Sequence, residues 1–184
     1  MFKIIAYTAP GYSREELNII LELLESQVID YLHIRKPEWD YEQLENFILA
    51  VPQKYYHKLK IHSHFDLCNK YKLGGIHLNR RNPVPPENLN PSSEISISLH
   101  SFEEIITLLS SGIIPGSENY KYSYVTLSPI YDSISKKGYN SNFNLRDVEF
   151  KDKLNVIREK GLIIIALGGI TPGNFKQLNE IGFG

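Results

Sequence analysis

Short runs of aliphatic and β-branched residues alternate along the chain with stretches in which apolar residues recur every three to four positions. The first pattern marks strands and the second marks amphipathic helices. Residues 3–8 read as a strand. Ser13 then opens a helix as N-cap, Glu16 completes a capping box, and Leu17, Ile20, Leu21 and Leu24 build one apolar face. A second strand, residues 31–35, precedes a helix capped at Asp40 and carrying Leu44, Phe47, Ile48 and Val51. Residues 59–63 form a third strand, with a short helix through Leu67 and Tyr71, and residues 75–78 a fourth. The Pro-rich segment 82–91 leaves room for only a turn of helix.

The rhythm continues through a fifth strand, 95–99, whose helix starts at a second Ser-x-x-Glu box, Ser101 and Glu104. A sixth strand, 124–127, runs into a polar loop spanning 128–144, then a helix through Phe150, Leu154 and Ile157. A seventh strand, 162–166, leads to a last helix, which Thr171 and Pro172 begin with a cap and a proline at its first position. Seven β-α units in one domain, 1–184, predict an α/β fold of the TIM (β/α)8 barrel type, with the eighth strand and helix missing from this chain. An open doubly wound sheet is the alternative, although the glycine-rich first turn of its nucleotide-binding form is absent.

Composition narrows the class. The 184 residues carry 20 Lys plus Arg against 21 Asp plus Glu, with 42% apolar residues. Such a balance gives no electrostatic footprint for nucleic acid or an anionic membrane, so any anionic ligand is met locally. The single Cys68, the lack of a secretory signal and an apolar run too short to span a bilayer lead us to expect a cytoplasmic protein.

In a barrel the chemistry sits just past the C-terminal ends of the strands. There the sequence places His33, Arg35 and Lys36, then His62, Ser63 and His64, then His77 with Arg80, Arg81 and Asn82, then Ser98 and His100, then Ser133 to Lys137, and finally Gly168 and Gly169. The cations suit a phosphate or diphosphate. The glycine pair, between a strand and a helix, lets backbone N–H groups approach an anion. The histidines lack the spacing of a zinc motif and any adjacent carboxylate, so they read as hydrogen-bonded or substrate-facing groups rather than metal ligands.

Six blocks, in order, resemble the thiamine phosphate synthase/TenI family: LHIRK at 32–36, GIHL at 75–78, SLHS at 98–101 with Glu103 and Glu104, YVTLSPIY at 124–131, KKG at 136–138 and ALGGITP at 166–172. That resemblance implies a TIM barrel and a transferase that joins a hydroxymethylpyrimidine diphosphate to a thiazole phosphate, giving thiamine phosphate and diphosphate. It assigns Arg35 and Lys136 to the diphosphate, Ser98 to the pyrimidine side, and Gly168 and Gly169 to the thiazole phosphate. His33, His62, Ser63, Asn82, His100, Ser133 and Ser135 join them as substrate-binding candidates. Family members use Mg2+, but the positions of its two Asp ligands hold Ser63 and Asn82, so the ion is expected without retained ligands. The alternatives are a TenI-like thiazole tautomerase using His100 or His62, with Pro129 standing where that branch has its histidine, and a non-catalytic thiazole or thiamine phosphate-binding paralogue. Small phosphorylated substrates are the expected partners, with self-association as a homo-oligomer a further expectation, and neither nucleic acid nor membrane. The 128–144 loop, long for a βα connection, is expected to cover the site and carry Lys136.

Overall fold

The computed structural model describes residues 2–11, 13–111, 122–132, 138 and 140–184. Its elements run β1 (Ile5–Tyr7), α1 (Arg14–Glu25), β2 (Tyr31–Ile34), α2 (Tyr41–Ala50), a 3-10 turn (Gln53–Lys58), β3 (Leu59–Ile61), α3 (Asp66–Tyr71), β4 (Gly75–Leu78), β5 (Glu94–Leu99), α4 (Phe102–Ser111), β6 (Tyr122–Leu127), α5 (Val148–Glu159), β7 (Ile164–Ala166) and α6 (Phe175–Ile181). The strands lie in one sheet in the order β1-β2-β3-β4-β5-β6-β7. Pairing is parallel for β1 with β2, β2 with β3, β3 with β4 and β6 with β7. A doubly wound sheet reverses its strand order at a switch point. This order has no reversal, which rules that alternative out and leaves a singly wound α/β sheet of seven strands among the described residues.

Helix starts follow local chemistry with two corrections. Asp40 caps α2 as expected, its carboxylate accepting the Gln43 N–H at 2.8 Å while the Gln43 side chain accepts the Asp40 N–H at 3.1 Å. Ser13 makes no side-chain cap on α1, and the Glu16 carboxylate accepts instead from the Ala9 N–H and the Lys36 ammonium, both at 2.5 Å. The last helix begins at Phe175, not Pro172: Asn174 takes the Thr171 N–H at 2.8 Å and closes a turn that delays the helix. The segment 82–91 contains turns only. None of the described helices is long and apolar enough to cross a membrane.

Two compact units share the strand series, the first built on Lys3–Ile95 and the second on the described residues from 96 to 184 with Phe2. In the first, the register sets Tyr7 opposite His33, His33 opposite Lys60, and Lys60 opposite Gly75. Residues in register project to the same face and alternate along each strand. One face therefore carries Tyr7, His33, Lys60, His62 and His77, and the other carries Leu32, Ile34, Leu59, Ile61, Ile76 and Leu78. Both rows are buried apart from the partly exposed Tyr7.

A buried lysine needs a partner. Lys60, fully buried, pairs with Glu94, donates to Gly74 O at 2.6 Å and lies 4.5 Å from the centre of the Tyr31 ring, whose hydroxyl donates to Glu94 at 3.1 Å. Burial pulls the Lys60 ammonium below the usual lysine range, and the Glu94 carboxylate opposes that pull.

In the second unit, Val125, Leu127, Ile164 and Leu154 join an aromatic cluster in which Phe150 meets Phe102 at 5.1 Å, Phe143 at 5.8 Å and Phe183 at 6.1 Å. Past β7 the chain closes on the loop after β6: Ile130 N–H donates to Leu167 O at 2.9 Å and Tyr131 N–H to Gly168 O at 3.1 Å. Gly168 (φ 94°) and Gly169 (φ 64°) both occupy left-handed backbone. A Cβ on Gly169 would come within 2.5 Å of Asp132 O, so close approach here is between two protein segments.

Two stability predictions follow from these contacts. Glu94→Gln strands the buried ammonium and should cost about 2 kcal/mol, below the ~3–5 for a fully buried pair because Glu94 is partly exposed, whereas Glu149→Gln at the exposed Lys153 pair should leave the midpoint nearly unchanged. Gly169→Ala should cost at least about 2 kcal/mol from strain and overlap. Urea unfolding midpoints measure all three, and equal losses for the two glutamates would contradict the role given to Lys60.

Candidate functional site

Three strands of the first unit bring imidazoles together. His33 on β2 and His77 on β4 are wholly buried and His62, just past β3, is 7% exposed. His33 Nδ1 lies 3.0 Å from His62 Nε2. Ring centres of His62 and His77 are 4.4 Å apart, those of His33 and His77 4.7 Å, and the Tyr7 ring stands 4.6 Å from His33. Burial holds all three rings neutral, lowering His77 to about 3 and His33 and His62 well below the ordinary histidine value, with their mutual repulsion adding to the last two.

The loop after β4 clamps this cluster. Asn79 and Asn82 both donate from Nδ2 to His62 O, at 3.0 and 2.9 Å, and Asn79 Oδ1 accepts the N–H groups of Arg81 and Asn82. Arg35, half-buried, has its backbone pinned by Thr8, whose Oγ1 accepts the Arg35 N–H at 2.9 Å and donates to Arg35 O at 3.3 Å. Among the described residues no carboxylate pairs with its guanidinium. The other cations differ. Lys36 is buried against Glu16 and Gly11 O, so its charge is neutralised inside the unit. Arg81 is exposed and reaches Glu38 at 3.5 Å and Pro37 O at 3.2 Å, while Arg80 faces solvent.

In the second unit Ser98 accepts a hydrogen bond from Thr126 Oγ1 at 3.2 Å. His100 is exposed, its Nδ1 3.0 Å from Ser128 O and 3.2 Å from Ser128 Oγ. Gly168 and Gly169 form the turn described above, and Asn174 Nδ2 donates to Gly169 O at 2.9 Å. Among the described residues nothing accepts from the N–H groups of Gly169 and Ile170. Ser133, Ser135 and Lys136 lie outside the described residues. The described ends of that loop are tied together, Ser141 N–H donating to Asp132 at 2.8 Å and Ser141 Oγ to Ile130 O at 2.7 Å.

Thr8, Tyr7 and Thr126 escape a reading that looks only beyond strand ends. The signal that finds Thr126 is the polar alternation within its own strand, Tyr-Val-Thr from residue 124, which marks a polar sheet face, whereas Tyr7 and Thr8 stand side by side at the end of β1 and carry no such alternation. Magnesium fits poorly here. That ion requires hard, preferably anionic oxygen, yet Ser63 and Asn82 offer only neutral oxygens and the three groups clustered nearby are imidazole nitrogens.

Comparison with known proteins follows the same outline. No curated protein matches the chain. A crystal structure of thiamine phosphate pyrophosphorylase from Bacteroides thetaiotaomicron is 32% identical, with a TM-score of 0.74 over 100% of this chain and 80% of that one. Thiamine phosphate pyrophosphorylase from Pyrococcus furiosus, 16% identical, has a TM-score of 0.68 over 99% of this chain and 82% of its own, a likeness of fold. The family model for thiamine monophosphate synthase matches residues 4–184, and the chain belongs to that TMP-TENI family.

Proposed function

We propose that the protein is a thiamine phosphate synthase. In this reading the bond between the pyrimidine methylene carbon and the diphosphate oxygen breaks, its electron pair leaves with diphosphate, and the thiazole nitrogen attacks the resulting cation. A protein accelerates such a step by neutralising charge that develops on the leaving group. The observation that supports the reading is Arg35, whose backbone Thr8 fixes just past β2 and whose guanidinium is matched by no carboxylate among the described residues. A guanidinium offers a two-pronged contact to phosphate oxygens. Within the second unit taken by itself, the N–H groups of Gly169 and Ile170 are of the kind that suits a phosphate, and Ser98 is a polar group of the kind that suits a pyrimidine. In fold terms the seven strands correspond to a TIM-type barrel without its eighth unit.

A tautomerase reading draws on one observation. The Ser128 carbonyl 3.0 Å from His100 Nδ1 places the ring proton there, so Nε2 carries the lone pair and can act as a base.

Turnover separates these readings. The parent protein, given pyrimidine diphosphate and thiazole phosphate, should release thiamine phosphate and diphosphate in equal amounts. Arg35→Ala should lower kcat/KM by about a hundredfold, Arg35→Lys should recover only part of it, and Arg81→Ala should match the parent. His100→Gln should leave synthesis within about threefold. If the parent forms no product yet binds thiamine phosphate, synthesis is overturned in favour of a binding role. Thiazole isomerisation that disappears in His100→Gln would instead establish the tautomerase.

A further inference from the structure

The geometry points to a metal site made by His33, His62 and His77, taking a borderline transition-metal ion of the zinc(II) class and leaving a coordination position for an oxyanion.

The argument begins with register. His33, His62 and His77 come from three consecutive parallel strands and project to one sheet face, so the backbone itself converges them. One nitrogen from each lies within 4.8 Å of the others. A tetrahedral ion with metal–nitrogen bonds of ~2.0–2.1 Å needs ligand nitrogens about 3.4 Å apart. The His33–His62 pair already stands at 3.0 Å, and side-chain adjustments of roughly an ångström would seat the third. In the metal-free protein a single ring proton bridges that pair. Binding would replace it, the proton moving through water to the distal nitrogen of the same ring, so each ligand stays a neutral imidazole.

Donor chemistry selects the ion. Three imidazoles and no carboxylate suit Zn2+, Cu2+, Ni2+ or Co2+, and are poor ligands for Mg2+ or Ca2+. Neutral ligands leave the ion's charge uncompensated, with Lys60 and Arg35 close enough to be felt by His33 and His62. An anionic ligand in the remaining position, hydroxide or a phosphate oxygen, offsets that charge. Three protein ligands with one open position is the arrangement of catalytic rather than structural zinc. Outer support is present as well: Asn79 and Asn82 fix the His62 carbonyl, and Tyr7 rests against His33. His62, the one member of the three with exposed surface, provides the edge through which an ion enters.

The test uses the full chain, stripped with chelator and dialysed. Zn2+ alone, followed by equilibrium dialysis and elemental analysis, should bind at one equivalent per chain, and millimolar Mg2+ should not compete. Co2+ should give the visible absorption of a four-coordinate site without a thiolate band. His77→Gln should weaken Zn2+ by more than about tenfold, and the thermal midpoint should rise with Zn2+ in the parent but not in this variant. His57→Gln, at an exposed histidine, should bind like the parent. Substoichiometric Zn2+, or binding kept in His77→Gln and lost in His57→Gln, would overturn the site. Should His77→Gln fail to fold, the parent's Co2+ spectrum decides, since a six-coordinate spectrum contradicts the proposal by itself.

Discussion

Burying one polar row of side chains within a parallel sheet is the constraint to which the remaining features answer. Polar groups removed from water must find partners or lose their charge. The first unit does both. At one level Lys60 keeps its charge by holding Glu94, Gly74 O and the Tyr31 ring. At the next level His33, His62 and His77 give up theirs and share hydrogen bonds and ring faces. The opposite face, from Leu32 to Leu78, supplies apolar burial, so the polar face is free to be chemical.

Charge at the strand ends is sorted by the same economy. Lys36 and Arg35 are neighbours in sequence, yet one is drawn inside against Glu16 and the other is held half-buried by Thr8. Adjacent residues at a strand end point to opposite faces, and the face that meets α1 neutralises its lysine. Among the described residues the Arg35 guanidinium pairs with no carboxylate. Arg81, engaged with Glu38 at the surface, contributes little to that field.

The glycine pair after β7 serves two ends at once. Left-handed backbone at Gly168 and Gly169 lets the turn nest against Pro129, Tyr131 and Asp132. The same curl leaves the N–H groups of Gly169 and Ile170 without acceptors among the described residues. A packing requirement thus leaves two backbone donors turned away from protein acceptors, so substitutions there disturb the packing and those donors together.

All seven strands and the Asp40 cap were legible from periodicity and turn chemistry, because these depend on residues a few positions apart, whereas the short turn of helix expected in 82–91 is replaced by turns and bends. The family was legible from six short blocks in order. The later start of α6, at Phe175, is also local, since Asn174 closes a turn with Thr171 three residues back. Two things were decided only by the tertiary structure. The Glu16 carboxylate goes to Lys36, twenty residues on and buried beside it, rather than to a cap of α1. His33, His62 and His77 match no ligand spacing in sequence, and they meet because parallel register aligns strands that are separated by whole helices. Local patterns fix the period of each element, but which side chains share a face and touch is set by strand pairing, a relation between distant segments that no local window contains.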